Sequence, residues 1–190
     1  MDEAFQVAFS AQRQHRVLGV RLDRLTVGHL LLLESSGVDL TEPLNFSELA
    51  FCVLVCSTPW PRSERTLQSG WLVTVFQLWG ILWRRRDILP QIEAWNAFLS
   101  EQIATPNIKV PLNAQRYATP LGVRLLAMLM REMGMRMDDA KGTPVAQANC
   151  LWAAVGDLEG TIQLWTERDQ NFWDQCAKLD KEWEASNGAA

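Results

Sequence analysis

Capping residues stand directly ahead of apolar runs along this chain, and that punctuation confines it to helices more firmly than any other feature. Thr26 precedes a run through Leu30, Leu31, Leu32 and Leu33 that Gly37 stops. Asn45, with Glu48 after it, has the form of a capping box ahead of the unbroken apolar run from Leu49 to Cys56; Pro59 and Pro61 then end the helix. A long helix is predicted near 64–85. Asp87 caps the next one, with Pro90 in its first turn and Ile92, Trp95, Phe98, Leu99 and Ile103 on its apolar side. Thr119-Pro120 and Thr143-Pro144 each set a hydroxyl before a first-turn proline, which predicts helices near 120–134 and 144–159, closed by Gly134 and Gly160. Residues 3–13 form an opening helix, and Thr166 with Asp169 starts a last one that runs to about Ala185. Residues 105–118 read as loop. The reading is an all-α, single-domain multi-helix bundle over 1–190. It leaves room for one or two short strands near 16–22 and 107–111, the second laid beside the first.

Composition closes off other classes. The 190 residues are 48% apolar and 21% charged, too apolar for wholesale disorder and numerous enough to bury a real core. The formal charge is 18 − 22 = −4, so no global basic field draws the chain to nucleic acid. Arg84-Arg85-Arg86 is read as the dipole complement at a helix end. The start, Met1-Asp2-Glu3-Ala4-Phe5, is acidic where a secretory leader is basic, and the four cysteines are too sparse for a disulfide framework. The expectation is a cytoplasmic protein with reduced thiols. Thr66 to Trp83 gives eighteen residues without a charge, long enough to weigh as a membrane span. Gly70, Thr74 and Gln77 form a polar stripe along it, which fits a central helix buried on most of its circumference.

No motif of known chemistry stands out. Cys52 and Cys56 are four apart and share a helix face, but among Phe51, Val53, Leu54 and Val55 they read as small apolar residues rather than zinc ligands. His15 and His29 accompany no nucleophile motif, and His29 is expected to be a partly exposed structural residue in the first turn of its helix. Asp138-Asp139 and the Asp180/Glu184 pair read as solvated faces. Neither a nucleophile elbow, a phosphate loop nor a dinucleotide fingerprint is present. No catalytic residue, metal or cofactor is expected.

The anomaly is tryptophan: nine, against one tyrosine. Indoles are large core fillers and also favoured binding anchors. Residues 157–184 carry eight acids and three bases, a balance of −5, suited to a basic partner. Trp165, Phe172, Trp173 and Trp183 are the candidate partner-binding residues, within a helical subregion at 144–185.

Three passages resemble a known family. They are Leu18-Gly19-Val20-Arg21-Leu22-Asp23-Arg24-Leu25-Thr26-Val27-Gly28-His29 leading into four leucines, then Val53-Leu54-Val55-Cys56-Ser57-Thr58-Pro59-Trp60, and the stretch from Ala148 through Trp152, Leu158-Glu159-Gly160 and Leu164-Trp165-Thr166-Glu167 to Phe172-Trp173. Together, over less than a third of the chain, they resemble tail assembly chaperones of tailed bacteriophages. The resemblance implies a non-enzymatic helical protein of the host cytoplasm that binds the tape-measure protein, helps tail-tube subunits assemble and is absent from the finished virion. It supplies no catalytic set. A homo-oligomer stays open. The alternatives are a structural virion or tail-completion component and, behind it, a small membrane-associated phage protein.

Overall fold

The computed structural model describes residues 3–10, 14–68, 88–109, 119–164, 172, 175–176 and 178. In chain order the elements are α1 (Glu3–Phe9), β1 (Arg16–Val17), β2 (Val20–Arg21), α2 (Val27–Ser35), α3 (Phe46–Cys56), α4 (Arg62–Gln68), α5 (Leu89–Gln102), β3 (Ile108–Lys109), α6 (Leu121–Glu132), α7 (Met137–Gly142), α8 (Val145–Leu158) and β4 (Gln163–Leu164). The protein is mostly α-helical, as the caps predict. Ser69 to Asp87, in the expected long helix, lies outside the described residues. So does most of the last helix, of which Phe172, Gln175, Cys176 and Lys178 are helical.

Two predicted caps form as reciprocal boxes. The Asn45 side chain accepts from the Glu48 N–H while the Glu48 carboxylate accepts from the Asn45 N–H, at 3.0 and 2.8 Å. At α2 the partner of Thr26 is an imidazole. His29 N–H donates to Thr26 Oγ1, and Thr26 N–H donates to His29 Nδ1. The two Thr-Pro starts differ from expectation. Pro120 and Pro144 are themselves the N-caps of α6 and α8, and neither helix has a side-chain cap of its own. Thr143 instead closes α7, its hydroxyl donating to Asp139 O.

Backbone groups elsewhere supply what those threonines do not. Val27 N–H donates to Thr143 O and Val145 N–H to Leu25 O, both at 2.9 Å. The starts of α2 and α8 thus satisfy each other's orphan donors. Glu34, near the end of α2, accepts from Gly122 N–H at 3.0 Å and so caps α6 from outside. Burial nevertheless pushes its carboxyl above the ordinary range, outweighing those backbone donors. Asp87 lies outside the described residues; α5 begins after Ile88 without a side-chain cap.

The strands correct the expected pairing. Residues 16–21 form their own hairpin, Val17 opposite Val20, while Ile108–Lys109 pairs with Gln163–Leu164. The two-residue turn Leu18-Gly19 has positive φ at both positions, 52° and 78°, the geometry that matches strand twist. Leucine is an unfavourable occupant there. It is held because its side chain is buried in the core and its N–H donates to Gln91 Oε1 at 2.6 Å.

α2 is the hub, touching α3, α6, α7 and α8. Around it gather Leu25, Val27, Leu30 and Leu33, then Leu49, Val53 and Val55 of α3, Trp95 and Phe98 of α5, and Leu125 and Leu129 of α6, all buried. At about 1.5–3 kcal/mol for each large apolar side chain, this cluster is the main drive to fold. α1 packs separately on α8 through Ala8, Ala146 and Cys150.

Candidate partner-binding surface

Helix α6 is amphipathic in a simple way. Gly122, Leu125 and Leu129 turn inward, whereas Val123, Ala127 and Met130, at i, i+4 and i+7, share the outer face. That face is apolar as well. Val123, Met130, Met133 and Met137 are each between 37% and 49% exposed; Met133 follows directly on α6, and Met137 opens α7 beyond the left-handed Gly134 (φ 61°). Arg131, Arg136, Asp138 and Asp139 stand exposed beside them. Unbranched, polarizable methionines adapt to irregular partners, so a set of them left in water is suited to docking.

None of the residues expected to bind a partner belongs to α6 or α7. Phe172 is helical and 60% exposed, as an anchor requires. Trp165, Trp173 and Trp183 lie outside the described residues, as do Trp71, Trp79 and Trp83. Of the remaining indoles, Trp95 is buried while Trp60 and Trp152 are half-buried. The methionine face escaped the sequence reading because 121–132 already offers enough apolar positions for one buried stripe. Its legible signal was that apolar residues continue round the helix, at Val123, Ala127 and Met130.

The polar centre of the fold surrounds His29. Expected to be partly exposed, it has no exposed surface, because the loop after α3 folds over it. Nε2 lies 3.1 Å from Thr58 O and 3.0 Å from Ser63 Oγ. Nδ1 receives the Thr26 N–H and also lies 3.1 Å from Arg24 O. A carbonyl only accepts, and the Thr26 N–H needs an acceptor, so we assign the ring proton to Nε2. Desolvation lowers the His29 pKa below 6.5, against the raising effects of the Thr58 and Arg24 carbonyls and of Asp23. Trp60 meets the imidazole edge-on at 6.1 Å and takes Lys141 Nζ 5.5 Å from its ring centroid. The same indole crosses Gly28 so closely that a Cβ there would lie 2.6 Å from its ring.

Ser63 and His29 stand at the distance of a nucleophile and its base, yet Ser63 is 1% exposed. Its hydroxyl lies 2.7 Å from Val55 O and 2.8 Å from Thr58 O. The arrangement clasps the 57–63 loop onto α2. Cys52 and Cys56 are both fully buried. Burial pushes the Cys52 thiol up to about 12 and Cys56 well above its ordinary value, which keeps both protonated. Among the described residues no group of three or more His, Cys, Asp or Glu side chains is placed to hold a metal ion. His15 pairs with Glu101 at 2.8 Å. No helix among the described residues is long and apolar enough to cross a membrane.

No family model, no curated protein and no solved structure matches this chain.

Proposed function

We propose that this chain is a non-enzymatic assembly factor of the tail assembly chaperone type, working in the host cytoplasm. Its client is a tape-measure protein, whose apolar stripes it covers until tail-tube subunits replace it. The observation that carries the reading is the exposed Val123/Met130/Met133/Met137 face. Exposed Phe172 and the resemblance at 18–34, 49–60 and 147–176 support it further. Each Å² of apolar surface taken from water contributes about 25 cal/mol before ordering costs. Modest contacts repeated along a long client therefore suffice, in the manner of helix-in-groove recognition.

Co-expression with the tape-measure protein encoded beside it tests the proposal. The client is expected to stay soluble and to co-purify with this chain, and purified particles are expected to lack it by mass spectrometry. An unchanged client solubility without co-purification overturns the reading. Recovery of the chain from finished particles assigns it to the structural components instead.

A further inference from the structure

The β1–β2 hairpin sets Arg16 directly opposite Arg21. Across that pair the Leu22 N–H donates to His15 O at 3.0 Å. The arginines therefore occupy a non-hydrogen-bonded position, where facing side chains come closest, with Cβ atoms about 4.5–5.5 Å apart. Both are exposed, and neither has an ion-pair partner among the described residues. Two neighbouring acids are engaged elsewhere: Glu101 holds His15 at 2.8 Å, and Asp23 Oδ1 accepts the Arg24 N–H at 2.8 Å. Residues 14–24 thus carry a balance of 3 − 1 = +2 in a chain whose total is −4. Like charges facing each other weaken a strand pair, yet this hairpin is firmly seated. Val17 and Leu18 are buried, Gln91 accepts the Leu18 N–H, and the His15 ring meets Phe98 edge-on at 5.5 Å. The two guanidinium groups share the sheet face opposite Val17, and an anion between them relieves their repulsion.

We propose that the Arg16/Arg21 pair is a docking point for an acidic segment of a partner protein, one carboxylate being received by both guanidinium groups. Planar guanidinium forks match carboxylate geometry. Nucleic acid is the less suitable occupant. A chain of net charge −4 repels a polyanion, and residues 16–21 include no aromatic ring on which a base stacks. The hairpin shares no residue with the α6–α7 face, and the inference stands without the client reading.

Capped hexaglutamate is the probe, titrated into the whole chain at low salt and followed through the arginine Nε–H resonances. Those of Arg16 and Arg21 are assigned by their loss in Arg16→Gln and Arg21→Gln. Saturable binding that shifts both is expected, weakening as salt is added. Arg16→Gln combined with Arg21→Gln is expected to weaken it about tenfold, as the loss of a charge-assisted hydrogen bond does. Arg21→Glu turns the facing repulsion into an attraction. It is expected to raise the urea midpoint while abolishing binding, a combination that a purely structural pair does not give. Resonances unmoved by the peptide overturn the proposal, as does equal affinity in the double variant and the wild type. A lowered urea midpoint in Arg21→Glu also overturns it. Tighter binding of hexathymidylate than of hexaglutamate at the same resonances overturns it in favour of a nucleic acid.

Discussion

At the scale of single residues, His29 shows how one side chain takes on several structural tasks. It completes the cap of α2 through Nδ1 and holds the 57–63 loop through Nε2; the cap is what needs the neutral ring, because a protonated Nδ1 no longer accepts the Thr26 N–H. Because burial lowers its pKa below 6.5, the unfolded chain binds a proton more readily than the folded one just below that value. The stability His29 contributes is therefore complete above pH 6.5 and is lost as pH falls through the lowered, folded-state pKa. Urea unfolding midpoints are expected to drop between about pH 8 and about pH 5.5. In His29→Gln, a less stable protein at the upper pH, that part of the drop disappears; an unchanged slope contradicts the assignment.

At the scale of elements, the sequence marks helix starts well when the cap is local. Thr26 and Asn45 cap α2 and α3 as read, because each side chain accepts from an N–H only three residues on. It misleads where the cap comes from afar. Nothing near Pro120 reveals that Glu34 supplies the acceptor for α6, and Thr143-Pro144 marks the start of α8 correctly although the Thr143 hydroxyl is turned back to α7. The strand pairings were illegible for the same reason: a two-residue strand carries no periodicity, and Leu164 opposite Ile108 is a long-range contact. His29 was misjudged because the 57–63 loop that covers it lies more than one element away. Glu34→Ala is expected to cost about 1 kcal/mol, like the loss of an ordinary N-cap, with exchange protection falling first in the opening turn of α6. Protection unchanged there shows that the carboxylate does not cap the helix.

At the scale of the whole molecule, a well-filled core sits beside a surface that withholds some of its apolar side chains from it. Leu125 and Leu129 enter the core while Val123 and Met130, on the same helix, remain in water. Single exposed apolar residues need no explanation; a run of them on α6 and α7 does. Met130→Glu, Met133→Glu and Met137→Glu combined are expected to leave folding stability nearly unchanged, within about 0.5 kcal/mol per site, yet to end co-purification of the client. Full binding by that variant removes the α6–α7 face from the account. The α6–α7 face was not legible beforehand, since an outward apolar stripe and an inward one have the same composition until the packing is known.

The most direct measurement is peroxide footprinting of the methionines by mass spectrometry, with and without the proposed tape-measure client, since thioether oxidation follows exposure. Met130, Met133 and Met137 are predicted to oxidise readily in the free chain and to be protected in the complex, while half-buried Met128 changes little. Equal oxidation of the three with and without bound client would contradict the claim that this face is where the client sits.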